Sequence, residues 1–214
     1  NGFPQFFGDD WNRTYAAFRL ESERFPGLTA KDGSYSKQEF IDLQRMGLEY
    51  GVRIIPEIDI PAHSLAFAHY KPEIASRKYG MDHLDLYKKE TYQFVDSLLD
   101  EYLSGDNPVF IGDLHIGTDE YNKKEAEQYR YFTDRYLKFV EKYGKNVRMW
   151  GGLKWLPGKT PVKAEGVTVN AWSYDWVDPV VSLQEGYKLI NTCDTYLYIV
   201  PAAGYYRDFL DHQW

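Results

Sequence analysis

The chain has 214 residues, 43% hydrophobic and 17% aromatic, with a formal net charge of -7 and a single cysteine, Cys193. These values fit one globular domain with a sizeable core. They argue against a nucleic-acid backbone as partner, which needs a basic surface, and exclude an internal disulfide or a cysteine-built zinc site.

Residues 1–35 read as irregular, rich in Gly, Asp, Asn and aromatics. Ser36 followed by Glu39 is a capping box, and Phe40, Leu43 and Met46 recur at helical spacing before Gly51 closes the helix. The β-branched run 52–58 predicts a buried strand, with Asp59 and His63 just beyond its end. Residues 64–86 read as a long connection and 88–104 as a helix with Val95, Leu98, Leu99 and Tyr102 on one face. A strand is expected over 109–116. Asn122, with Glu125, then caps a helix running to about Tyr143, its apolar side formed by Tyr129, Phe132, Tyr136 and Val140. Short strands follow at 147–150 and 167–172. Asp178 and Pro179 open a short helix, and residues 189–190 with 195–199 supply the last strand before a loop to Trp214. No stretch approaches the roughly 18 consecutive apolar residues of a membrane span.

Alternating strands and helices predict an α/β protein with a parallel sheet and helices outside it. Five strands could build an open doubly wound sheet, but no glycine-rich phosphate loop follows any of them. Acids and tryptophans close strand after strand, which favours a (β/α)8 barrel with its active site on the C-terminal rim. A complete barrel takes about 250 residues, so the chain is expected to be one barrel domain that lacks strands at both ends.

The chemistry centres on residues 110–122, where an apolar run delivers Asp119 and Glu120 to a strand end. Adjacent carboxylates repel, and repulsion raises one pKa, as a general acid requires. The competing reading is a helix N-terminus enriched in acids, which the helix dipole favours. The aromatic excess likewise has two readings, core packing or stacking on sugar rings, and composition does not choose between them.

His115-Ile-Gly-Thr-Asp-Glu120 and Pro56-Glu-Ile-Asp-Ile-Pro-Ala-His63 resemble, in the right order, the His-x-Gly-Gly-Asp-Glu and Pro-Glu-Ile-Asp-x-Pro-Gly-His signatures of glycoside hydrolase family 20, the β-N-acetylhexosaminidases. The resemblance implies a barrel fragment spanning about strands three to seven. It also implies a retaining glycosidase that acts on oligosaccharides or glycoconjugates carrying β-linked N-acetylhexosamine, and needs no cofactor. In such enzymes the substrate's own acetamido oxygen is the nucleophile. Glu120 would then be the acid and base, Asp119 an ionised group orienting the acetamido N–H and keeping Glu120 protonated, and Tyr196 a donor to the attacking oxygen. Trp150 and Trp172 would wall the sugar pocket, Asp59 and His63 would support the acids from the neighbouring strand, and His115 would support its own strand. Action outside the cytoplasm or in a degradative compartment is implied too.

Three departures stand out: Thr118 and Ala62 replace signature glycines, and Tyr198 stands where many members place an acid that binds a distal sugar hydroxyl. The last leaves open a lacto-N-biosidase specificity within the family. Outside it, the alternatives are a divalent-metal hydrolase using His63, His115, Asp59, Asp119 and Glu120, or a non-catalytic sugar-binding module.

Overall fold

The computed structural model describes residues 15–201 and 206–209; the irregular start expected at 1–14 and the end of the loop to Trp214 lie outside the described residues. In chain order, α1 (Lys37–Glu49) leads to β1 (Glu57–Ile60). Next, α2 (Leu65–Tyr70) and the antiparallel pair β2 (Ala75–Ser76) and β3 (Gly80–Leu84) lead to α3 (Lys89–Leu103). There follow β4 (Leu114–Gly117), α4 (Ala126–Glu141), β5 (Val147–Trp150), β6 (Val167–Ala171), α5 (Pro179–Gln184), β7 (Lys188–Asn191) and a short α6 (Asp194–Leu197).

Strands β1, β4, β5, β6 and β7 form one parallel sheet in that order. Each strand lies beside the next main-sheet strand in sequence. A doubly wound sheet would reverse its order at a switch point; unbroken order is that of a (β/α)8 barrel, of which these strands form an arc. Side chains alternate across it. Val147, Met149, Val167, Val169 and Ala171 are buried, whereas Arg148, Trp150, Thr168 and Asn170 are half-exposed on the opposite face, where Trp150 is in register with Asn170.

The expected helix faces are the ones buried. Val95, Leu98, Leu99 and Tyr102 of α3, and Tyr129, Phe132, Tyr136 and Val140 of α4, are fully shielded from water, each such side chain contributing about 1.5–3 kcal/mol. The buried tyrosines retain hydrogen-bond partners: Tyr102 donates to the Glu21 carbonyl at 3.1 Å and Tyr121 to that of Leu84 at 2.7 Å. These core aromatics thus keep their polar tips satisfied.

Several expectations need correction. The ladder residues lie at the C-terminal ends of the apolar runs: 52–56 and 109–113 are outside the strands, and Val52 is exposed. Buried Gln44 of α1 explains how the second segment does without a ladder. Its side-chain amide donates to the Val109 carbonyl at 2.7 Å and its oxygen accepts from the Ile111 N–H at 3.1 Å, so the approach to β4 is satisfied by a side chain. The long connection 64–86 contains α2 and the β2–β3 pair. Residues 195–197 belong to a helical turn rather than a strand, and Tyr196 is exposed on it. The Ser36–Glu39 capping box forms in full. Asn122 caps its turn by accepting from the Lys124 N–H at 3.0 Å, but Glu125 turns away to Lys78 at 2.8 Å and to the hydroxyls of Tyr79 and Tyr87, both at 2.5 Å. Those three donors hold its carboxyl down at about 2. Glu125 thus ties the β2–β3 pair to the segment that leaves the acid pair.

Candidate active site

Parallel pairing of β1 with β4 brings the two signature segments together, with Ile60 opposite Gly117. Beyond this pairing the backbone turns sharply. Gly117 has φ 69°, and three non-glycine residues share the left-handed region: His63 at 53°, Thr118 at 73° and Glu120 at 49°. Such conformations cost on the order of 1–3 kcal/mol each and persist only where surroundings enforce them. For the β-branched Thr118 the enforcement is visible. Its N–H donates to Ile60 O at 3.0 Å, its hydroxyl to Gly117 O at 2.6 Å and Trp150 O at 3.4 Å, and its carbonyl accepts from the Tyr129 hydroxyl. The turn that glycine would make freely is made here by a fully buried threonine cross-linked to β1, β5 and α4.

The turn presents both acids to one imidazole. His63 Nε2 lies 2.9 Å from Glu120 Oε2 and 3.4 Å from Asp119 Oδ2. Asp119, then Glu120, raise the imidazole to about 11, overcoming its burial, and the Glu120 carboxyl is held below its usual value chiefly by His63. The expectation was that Asp119 favours a protonated Glu120; the direct contact with His63 instead favours its ionised form.

A second cluster is formed by residues of β1, β4 and β5. Trp150 Nε1 donates to Glu57 Oε1 at 2.7 Å, and the Trp150 ring packs 5.0 Å from that of His115. His115 Nδ1 accepts the Gly117 N–H at 3.1 Å, and burial holds this imidazole below its ordinary pKa. Asp59 is raised to about 9, first by burial and then by its neighbour Glu57. His63, Asp119 and Glu120 therefore form one set of ligand-type atoms, and Glu57, Asp59 and His115 another. The single five-residue metal site considered from sequence is divided in two.

The sign of the Asp59 shift gives a testable result. Folded Asp59 keeps a proton that the unfolded chain releases above its ordinary value, 3.8, so its contribution to stability falls as pH rises from there to about 9. His63 acts in the same direction between 6.5 and about 11. In Asp59→Asn only the first contribution vanishes. Its Tm, relative to wild type, is expected to climb steadily across that lower window, by roughly 2–4 °C per kcal/mol. A difference independent of pH in thermal melts would show that Asp59 is not buried protonated.

The outer wall is aromatic. Trp172 donates to Gly151 O at 2.9 Å and its ring packs, tilted, 5.5 Å from that of Trp176, which lies 5.1 Å from Trp155. The Trp172 carbonyl accepts the Asp194 N–H at 2.6 Å, fixing α6 to the end of β6.

The sequence matches the family model "Glycosyl hydrolase family 20, catalytic domain" over residues 13–130, more than half of the chain. The chain belongs to glycosyl hydrolase family 20. Among its relatives, β-hexosaminidase subunit A1 of Dictyostelium discoideum is 30% identical over 131 residues, 56% of this chain and 24% of that protein. Lacto-N-biosidase of Bifidobacterium bifidum is 24% identical over 200 residues, 81% of this chain and 17% of that protein. The solved family 20 β-N-acetylhexosaminidase of Streptomyces coelicolor A3(2) superimposes with a TM-score of 0.65 at 26% identity, covering 81% of this chain and 39% of that one. The chain spans between 24% and 40% of the length of the first β-hexosaminidase relatives it matches.

In this family 20 chain the structure brings together Asp119, Glu120 and His63, and gathers Asp59, Trp150 and His115 around Glu57. Tyr196 and Tyr198 part company. Tyr196 is exposed on α6, whereas Tyr198 is half-buried, its hydroxyl raised to about 12 by burial and then by the charges of Asp119, Asp194, Glu57 and Glu120. Asp119 and Glu120 thus both act on the Tyr198 hydroxyl. Sequence reasoning missed Glu57, which the two-residue strand period places on the Asp59 face. It also missed Tyr129, and His83, whose Nε2 lies 3.2 Å from the Glu120 carbonyl while Nδ1 lies 2.8 Å from Asp82 Oδ1. Only the fold brings these to the turn.

Proposed function

We propose that the protein removes terminal β-linked N-acetylhexosamine from glycans with retention of configuration, by substrate-assisted catalysis, and that this chain contributes part of its catalytic barrel. The observation that carries the reading is the single imidazole of His63 contacting both Asp119 and Glu120 at the C-terminal end of β4. Active sites of parallel barrels are built at that end.

In this reading the acetamido oxygen of the bound sugar attacks the anomeric carbon as the glycosidic C–O bond breaks. Glu120 delivers a proton to the departing oxygen, a proton that reaches Oε2 from His63 Nε2 across their 2.9 Å contact. Asp119 orients the acetamido N–H and stabilises the charge spread over the oxazolinium ring. Water then attacks the anomeric carbon, Glu120 takes its proton, and the ring opens to the β-sugar. Trp150 and Trp172 close the pocket around the sugar, Asp59 and His63 brace the acids, and a tyrosine, Tyr196 or Tyr198, donates to the attacking oxygen. Relatives named β-hexosaminidase accord with this activity.

A second reading, release of a disaccharide, is favoured by the lacto-N-biosidase among the relatives and is compatible with Tyr198 standing where an acid would hold a distal hydroxyl. Full-length protein assayed side by side on an aryl β-N-acetylglucosaminide and an aryl lacto-N-bioside separates the two. Hydrolysis of neither by folded protein would refute both readings.

A further inference from the structure

On one flank of Glu120 lies a groove of about 510 Å³, lined in part by Tyr79, His83, Lys123, Lys124 and Trp155; Asp119, Trp150 and Trp172 do not line it. It is therefore distinct from the proposed sugar site, which Asp119, Trp150 and Trp172 would line. The Lys123 ammonium sits 4.6 Å from the centre of the Trp155 ring, and Trp155 is braced in turn by Trp176 at 5.1 Å. A cation over an indole face is attracted by the ring quadrupole, so Lys123 is held in place without an acid.

The charges around the groove are unevenly matched. The Glu125 carboxylate is paired with Lys78, 2.8 Å away, and that of Glu120, which lines the groove, with His63 at 2.9 Å. Among the described residues, neither Lys123 nor Lys124 has a carboxylate oxygen within 4.0 Å. In a chain of net charge -7, two adjacent ammonium groups without acid partners, one of them fixed on an indole, leave positive charge uncompensated at one place. Such a pair attracts an anion to that place.

We infer that this groove is the subsite for the leaving group, and that Lys123 on Trp155, assisted by Lys124, selects leaving sugars bearing an anionic substituent, a uronic-acid carboxylate or a sulfate ester. The inference rests on the proposed role of Glu120. A group that protonates the glycosidic oxygen touches the first atom of the leaving group, so the remainder of that group extends along the open side of Glu120. The N-acetylhexosamine ring occupies the other side, between the acids and the tryptophans.

The test uses full-length enzyme and three substrates sharing one terminal N-acetylhexosamine. It is linked to a neutral aryl group in the first, to a glucuronic acid-containing oligosaccharide in the second and to a sulfated galactoside in the third. In Lys123→Met/Lys124→Met, kcat/KM on an anionic substrate is expected to fall about tenfold further than on the aryl substrate, the excess shrinking between about 20 mM and 200 mM salt. Lys123→Arg should retain most of the preference. Which anionic substrate shows the larger effect identifies the carboxylate or the sulfate as the group recognised. An equal fall on all three substrates, or a discrimination insensitive to salt, would overturn the inference. Failure of wild-type enzyme to cleave even the aryl substrate would instead overturn the reading of Glu120 on which the inference rests.

Discussion

Replacing Glu120 by Gln is expected to lower kcat/KM by about 10²–10⁴-fold on an oligosaccharide, and far less on an aryl glycoside whose phenolate departs without help. The amide keeps the size of the carboxyl but can neither deliver nor recover a proton, so its loss is felt in proportion to the basicity of the leaving oxygen. The side chain is half-exposed and lies 2.9 Å from His63, so the substitution should leave the fold intact, with Tm changed by no more than about 2–4 °C. A second signature distinguishes proton transfer from simple loss of charge. Glu120 is one of two acids that raise His63, and in the variant the imidazole, facing Asp119 alone, should lose its proton at lower pH. That shift is measurable by titration of the ring resonances. Equal losses on both substrate classes would refute the proton-donor assignment, and an unshifted His63 would refute the direct His63–Glu120 contact.

What the sequence disclosed depended on the range of the interactions involved. Helices α1, α3 and α4 were legible because periodicity and local caps, such as the Ser36–Glu39 box, are decided within a few residues. Strand limits were not, because their partners are distant: residues 109–111 look like strand, yet their backbone is satisfied by Gln44, more than sixty positions away. The same holds for Glu125, placed like a cap residue but claimed by Lys78, Tyr79 and Tyr87. At the site, the acids and His63 were readable from contiguous motifs. The protonation pattern was not, since it depends on a direct His63–Glu120 contact across two strands, and neither was the burial of Tyr198, which depends on residues 194–197 forming a helical turn. Thr118 makes a left-handed turn where the signature has glycine. It does so through bonds to β1, β5 and α4 that its size alone could not disclose.

Gly117→Ala is expected to be the most damaging single-carbon change at the site. At Gly117 an added Cβ would lie 2.6 Å from Asp59 Oδ1, 2.8 Å from Asp59 Cα and 3.2 Å from Ile60 N. The last two are backbone atoms of β1, opposite Gly117 in the ladder, so no rotamer change relieves the contact; the strands must part. Parting them breaks the bond from the Thr118 N–H to Ile60 O and draws His63, which follows β1, away from the acids that follow β4. Overpacking together with a left-handed alanine should cost about 2–5 kcal/mol and lower Tm by roughly 5–15 °C. Activity should fall even at temperatures where the variant remains folded. Gly144 provides the control: its φ is 70°, nearly that of Gly117 at 69°, but an added Cβ there meets no atom within 4 Å. Gly144→Ala therefore bears the conformational cost alone, about 1–2 kcal/mol, with activity preserved. Thermal melts and kcat/KM for the pair decide the matter. Equal loss of stability in both variants would mean that β1 yields without strain at Gly117, and that the close approach of the two signature strands does not hold His63 against Asp119 and Glu120.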